Sequence, residues 1–405
     1  MQHRFILTQA KWRATLCEGL DGRSHAMQSR DRTMTVDWPF NETVRIKIPS
    51  SSGGYDMLGR LCSAAAVVAG LSIGATAAVA QDKKVRMQVA GAFPSTTGLL
   101  GPTQLTLVES LRKVSGGSID AKFFEPGALV PAGQYMDAVG NNSLDSAWTV
   151  SGFFTGKDIA FAMYASVPFG PEAGEYMGWI RHGGGQKLYD ELHAKYNVVA
   201  IPCGLIAPEA SGWFRKEIKG PDDLKGLKMR FFGLGANVMQ KLGVATQLLQ
   251  AGEIFQALQL GTIDATEFSM PVMDLTLGFH QVAKHYYFPG WHQMSTINSL
   301  FISKAKWAEF SDTQKEQIKT VCDATMLRQF IEGESVQAAA IKEIQSKGVT
   351  LHYWSKDMIA LYRKTWEEVA KEQTEKSPEF KKAWESYSAF RADYKIWKDL
   401  GYLKE

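Results

Sequence analysis

Two short stretches hold the residue types that could do chemistry. In GTIDATEFSMP, residues 261 to 271, Ile263 and Ala265 alternate with Asp264 and Thr266 as in a half-buried strand. Glu267 then stands where an apolar residue belongs, and Phe268 follows it. In LKGLKMRFFG, Lys228 and Arg230 share one face of a strand, Met229 takes the other, and Phe231 and Phe232 come next. A guanidinium among aromatics can hold a carboxylate bidentately, because its planar fork matches two oxygens. A strand-end carboxylate can hold a cation. In open α/β sheets ligands bind beyond the carboxyl ends of strands, where both residues fall. Pattern alone leaves each evenly divided: Arg230 between a site and a surface salt bridge, Glu267 between a site and an exposed strand-end charge or cap partner.

No enzymatic constellation accompanies them. The sequence has no G-x-S-x-G, no phosphate-cradling loop and no H-E-x-x-H. Gly183 to Gly185 read as a loop between helices. His280, His285 and His292 are spaced by five and seven residues, which does not put all three on one helix face, and Pro289 interrupts any helix. A His-based metal site is therefore not expected. The net charge of +3, with 45% hydrophobic and 21% charged residues, is ordinary soluble composition with no basic stripe for nucleic acid.

The elements that would position these residues alternate. KKVRMQVAGAF (83–93) predicts a strand. GLLGPTQLTLVESLRKVSGG (98–117) predicts a helix with Leu105, Val108, Leu111 and Val114 on one face. SIDAKFFEPGALV reads as a strand and a turn at Pro126-Gly127, and QYMDAVGNNSLDSAWT as a short helix, a turn and a strand. This order implies a parallel or mixed sheet covered by helices. A second run follows: strands in YNVVAIPCGLI, GWFRKEI, LKGLKMRFFG, ATQLLQ and TIDATEF, with helices in GANVMQKLG and AGEIFQALQLG. No Pro/Ser linker separates the runs. The fold class expected is α/β: two domains connected more than once, as in a hinged clam-shell with mixed sheets, followed by long C-terminal helices. Residues 81–205 would be mainly the first lobe and 206–300 mainly the second. Residues 301–405 would be a helical segment packing on both, opening with a capping box from Ser311 to Gln314. A further helical stretch is expected over about 355 to 395.

MLGRLCSAAAVVAGLSIGATAAVA, residues 57–80, has a short region with Arg60, an apolar run from Ala64, and small residues at Ala78 and Ala80 before Gln81. It reads as a cleavable secretory signal. The competing reading, a membrane anchor, asks for about 20 strongly apolar residues, and this run is short and rich in Ala and Gly. Residues 1–56 would then be an upstream extension, with translation starting at Met57. Export leaves Cys203 and Cys322 in the functional chain. A disulfide between them is permitted outside the cytosol; two buried thiols packing as small hydrophobes are the expectation.

GPDDLKGLKMRFFGLGANVMQKLGVATQLLQAGEIFQALQLGTIDATEF resembles the central signature of the solute-binding proteins of tripartite ATP-independent periplasmic (TRAP) transporters. The resemblance continues through GALVPAGQYMDAVGNNSLDSAW, VPFGPEAGEYMGW, IPCGLIAPEASGWFRKEI and KHYYFPGWH, covers 83 to 390, and is nearest to the branch that binds pyruvate and related 2-oxoacids. It implies a periplasmic-binding-protein clam-shell that catalyses nothing and passes its ligand to a membrane permease. Arg230 would clamp the substrate carboxylate. Gly152 and Phe153 would meet the substrate from the opposite lobe, with Glu209 nearby in an undecided role. A sodium ion, with calcium as the alternative, would be held by Glu267, the backbone carbonyl of Phe268 and the side chain of Gln293. Phe268 replaces an Asn frequent in dicarboxylate-binding members, which points to a smaller and less polar ligand. Phe153, Phe231, Trp213 and Phe268 would form an apolar wall. Receptors of this branch can dimerise by exchanging a C-terminal helix, and Trp384, Tyr387, Phe390, Tyr394 and Trp397 lie on one here; packing on their own chain is the alternative. The rival class is an exported metal-dependent enzyme using Glu267 and Glu209 for acid/base or hydrolytic work. A binding protein serving a sensor or another transporter type would share the same cleft chemistry.

Overall fold

The computed structural model describes residues 33–37, 43–47 and 82–403. The expected signal segment, 57–80, lies outside the described residues. Two compact units divide the chain at Val79/Ala80. In the first, β1 (Thr33–Asp37) and β2 (Thr43–Lys47) pair antiparallel. Everything below concerns the second unit.

Its first half alternates as expected: β3 (Val85–Gly91), α1 (Leu100–Val114), β4 (Ile119–Phe124), α2 (Tyr135–Gly140), β5 (Ser146–Val150), α3 (Ala173–His182), α4 (Gly185–Ala194) and β6 (Val198–Ile206). The buried stripe of α1 is Leu100, Gln104, Leu107 and Leu111, while Leu105 and Val114 are exposed. The expected face is thus rotated. Gln104 takes an inward position because its Nε2 donates to the Phe93 carbonyl at 2.9 Å, a partner that hydrophobic periodicity does not reveal.

The middle of the chain supplies β7 (Gly212–Phe214), β8 (Lys228–Arg230), α5 (Gly233–Lys241), β9 (Ala245–Gln247), α6 (Ala251–Gln259), β10 (Ala265–Thr266), α7 (Pro271–Thr276) and β11 (His285–Phe288). The strand expected over TIDATEF has shrunk to two residues. β12 (Thr296–Ser303), α8 (Lys304–Glu309), α9 (Asp312–Ser346), β13 (Thr350–Tyr353), α10 (Lys356–Lys376) and α11 (Pro378–Gly401) complete it. α9 opens with the expected capping box: Ser311 Oγ accepts from the Gln314 N–H at 3.1 Å, and Gln314 Oε1 accepts from the Ser311 N–H at 3.0 Å. The helical tail contains a strand, β13. It also divides at Ser377, because a residue before proline is driven out of the helical region; Ser377 then caps α11.

Two mixed sheets result. One has the order β4-β3-β5-β12-β6 and the other β13-β11-β7-β10-β8-β9. The chain leaves the first sheet after β6, returns to it at β12, and enters the second again at β13. α9, 35 residues and so about 50 Å long, packs on β6 and α1 in the first lobe and on α7 in the second. This is the two-lobed clam-shell with more than one crossing.

Cys203 and Cys322 form a disulfide, correcting the expectation of two free thiols. β6 is an edge strand lying against α9, so a strand residue and a helix residue 119 positions apart meet. In the tail, Tyr387 is buried, Trp384 and Phe390 are half-buried on their own chain, and Trp397 is exposed.

Candidate functional site

Arg230 ends β8 and Glu267 follows β10, neighbouring parallel strands in which Thr266 stands opposite Arg230. Parallel pairing therefore brings the guanidinium and the carboxylate together. Arg230 Nη1 donates to Glu267 Oε1 and to the Glu267 carbonyl, both at 2.7 Å, and Nε donates to the Leu249 carbonyl at 3.3 Å. Nη2 makes no hydrogen bond among the described residues, so half of the expected fork is already committed to Glu267. Both side chains are buried, Arg230 with 2% of its surface exposed. Lys228, expected on the same face, is exposed at the start of the strand.

Three further polar side chains converge on this pair. His292 Nε2 lies 3.4 Å from Glu267 Oε2 and 3.7 Å from Glu209 Oε2. Glu209 Oε1 accepts from the Ser269 hydroxyl at 2.8 Å. Gln293 is buried beside them. Burial pushes the Glu209 carboxyl up to about 7, with Glu267 adding to the rise. Burial also opposes charge on Glu267, but Arg230, His292 and the Phe232 N–H (2.5 Å to Oε1) outweigh it and hold that carboxyl below its ordinary value. On His292 the two carboxylates outweigh burial and raise its pKa to about 9.

The oxygens left over show what the cluster can hold. Glu209 Oε2, Glu267 Oε2 and Gln293 Oε1 are buried and accept no hydrogen bond, the two carboxylate oxygens facing only His292 Nε2 at 3.4 to 3.7 Å, an incompletely satisfied state that is costly for polar atoms. The Phe268 carbonyl also receives no hydrogen bond among the described residues. Ligand atoms of Glu209, Glu267 and His292 lie within 4.8 Å of one another. This mainly oxygen donor set fits a hard cation. His292 is the member that sequence reasoning missed; spacing argued against a three-histidine site, and His280 and His285 are not in this cluster. Its adjacency to Gln293 was the available signal.

Arg230, Glu209 and Gln293 line a cavity between the lobes together with Phe153, Phe232 and Phe268. It is small: a water-sized sphere can be centred over about 30 Å³ of it. The first lobe contributes Phe93 and Leu100 and, from the strands of its sheet, Val150, Ile206, Thr296 and Asn298. Rings from the two lobes meet edge-on, Phe153 with Phe232 at 5.3 Å and Phe93 with Phe268 at 6.4 Å between centroids. Gly152 is not a lining residue; a Cβ there would overlap the Phe232 ring, so it seats that ring. Two members of the expected apolar wall are elsewhere. Phe231 packs on Trp291 and His292, and Phe232 lines the cavity in its place. Trp213 stacks on Tyr286 at 3.9 Å and its Nε1 donates to Asp274 at 2.8 Å.

Residues 94–377 match the family model for the bacterial extracellular solute-binding protein family 7. The chain belongs to that family. Family 7 members are the solute-binding receptors of TRAP transporters, so this chain is a receptor and not an enzyme. A monocarboxylate 2-oxoacid-binding periplasmic protein of a Nostoc species is 32% identical over 79% of this chain and 87% of its own length. A TRAP solute-binding protein from Bordetella bronchiseptica, a dimer with calcium and picolinate in its bound site, is 30% identical with TM-score 0.76, covering 78% of this chain and 94% of its own. One from Pseudoalteromonas atlantica, with bound sodium and pyruvate, is 25% identical with TM-score 0.75, covering 78% and 96%. The family 7 receptors carry the clam-shell seen here. Among the described residues no helix is long and apolar enough to cross a membrane.

Proposed function

We propose that this receptor captures a small 2-oxo monocarboxylate in the periplasm, together with a cation, for delivery to a TRAP permease. The observation that carries the reading is Arg230: a buried guanidinium with one nitrogen uncommitted, lining a small cavity beside oxygens that accept no hydrogen bond. An organic anion leaving water must meet positive charge, or desolvation prevents binding. Nη2 supplies that charge and directed hydrogens. Glu267, Glu209, Gln293 and the Phe268 carbonyl hold the cation, and Phe153 and Phe232 exclude water. Gly152 acts through Phe232. This gives Glu209, undecided from sequence, a place in the cation cage. The cation is sodium or calcium, the ions found in the two structural relatives. The small cavity supports a short ligand over a dicarboxylate with a long spacer. Exposed Ile396, Trp397 and Leu400 on α11 support a homodimer through the C-terminal helix.

The test is calorimetry of the purified protein with 2-oxoacids, 2-hydroxyacids and dicarboxylates, each with and without sodium and calcium. Cation-dependent binding of pyruvate-like acids is expected. Tight binding of succinate with none of pyruvate would overturn the substrate assignment.

A further inference from the structure

β12 and its neighbours form a wall of the cavity opposite Arg230. Thr296 and Asn298 both line it, as residues two apart on a strand must. The Thr296 hydroxyl donates to the Ala165 carbonyl and is committed. The rest of this wall, including Val150, Phe153 and Ile206, is apolar. Asn298 is different: it is 1% exposed, and its Oδ1 has no hydrogen-bond partner.

What surrounds Asn298 is built rather than accidental. It sits on one rung with Val150 of β5 and Gly204 of β6. At the next step the register of β6 jumps from Gly204 to Pro202, leaving Cys203 as a bulge. Cys203 is the residue bonded to Cys322 of α9. Seven residues on, two helical turns and therefore on the same helix face, Gln329 reaches into the space that Gly204 leaves empty. A Cβ at Gly204 would overlap Gln329 Oε1 and come within 3.1 Å of Asn298 Oδ1. Gln329 is 1% exposed, and its Oε1 and Nε2 also lack partners. Two buried amides thus stand together on the first-lobe side of the cavity, at a different sheet from the strands that carry Arg230 and Glu267. Buried polar groups of this kind are normally paired.

Resting on the 2-oxoacid reading, we infer that Asn298 is a specificity-determining residue, positioned by Gln329, and that the preferred 2-oxoacid carries a hydrogen-bonding group at the end remote from its carboxylate. An amide offers both a donor and an acceptor, so a terminal hydroxyl or carbonyl satisfies it. A site built to bond such a group rejects the analogue lacking it, because the amide is then left unpaired.

Hydroxypyruvate and 2-oxobutyrate have nearly the same size and differ in that terminal group. Calorimetry of the wild-type protein with both, and with pyruvate, should show hydroxypyruvate bound at least about tenfold tighter than 2-oxobutyrate, ~1.4 kcal/mol. Asn298→Leu should reduce that preference to about twofold or less. Gln329→Met, which leaves the cavity wall intact, should lose at least about half of the preference, and it decides the question alone if Asn298→Leu does not fold. Equal affinity of the wild type for the two acids, or an unchanged preference in the variants, overturns the inference and leaves the 2-oxoacid reading standing. No binding of any of the three acids overturns both.

Discussion

Arg230 and Glu267, which the proposed function places at the centre of ligand binding, are also each other's partners. Removing one leaves a buried charge, which costs roughly 3–5 kcal/mol. Arg230→Ala should therefore lower the melting temperature as well as abolish binding. Arg230→Lys separates the effects: it keeps the charge but loses the planar fork, so ligand affinity should fall by about 10- to 100-fold with a much smaller change in melting. Glu209→Gln keeps an acceptor for Ser269 and removes only charge, so the cation dependence of binding should weaken while the fold persists; unchanged cation dependence in titrations would remove Glu209 from the cage. His193 offers a test unrelated to ligand. It is buried, with Ser151 Oγ 3.0 Å from Nε2 and the Tyr189 carbonyl 2.8 Å from Nδ1. Burial pushes its pKa down to about 3 from 6.5. The unfolded chain takes up a proton below 6.5 that the folded one refuses, so this part of the stability is present above that pH and is lost progressively toward pH 3. His193→Gln should flatten that part of the stability–pH curve in chemical denaturation. At this scale sequence was a partial guide. Glu267 was visible because it broke an apolar pattern. Asn298 was not singled out, because in TINSLFIS it stands among apolar residues and the partners that surround its amide, Gly204 and Gln329, are distant in sequence.

The elements were read better than their faces. Most strands and helices lie where alternation and capping put them, since those signals are local: Ser311 with Gln314, and the glycines after His182. What escaped depends on partners distant in sequence. The strand over TIDATEF shortened to Ala265–Thr266, and α1 turned to bury Gln104. Cys203 and Cys322 gave no sign of proximity, because nothing local says that α9 lies along the edge of β6. Their disulfide closes a loop of 119 residues, worth about 5 kcal/mol on the chain-entropy model. Replacing both cysteines by serine, or adding reductant, should cost the protein a large part of that in denaturant unfolding. An unchanged midpoint would mean that helix packing alone holds α9 in place.

For the whole molecule, the two-lobe plan followed from two alternating runs without a linker, while the return of β12 to the first sheet and the strand within the tail did not. If α11 joins two copies, Ile396→Asp with Leu400→Asp should convert a dimer into a monomer in light scattering without changing the melting temperature of the fold; a wild-type monomer at high concentration would dispose of the idea. The crossing itself has a further consequence. β6 and β12 are antiparallel neighbours, and the excursion into the second lobe leaves at Ile206 and comes back at Thr296, which face each other across the ladder. Topologically most of that lobe is the loop of a β-hairpin, grown from a few residues to a domain. Its two ends, Ile206 and Thr296, also line the cavity. The strand ends that join the two lobes and part of the lining of the cavity are therefore the same few residues of backbone, so a ligand held in that cavity would sit against the junction between the lobes.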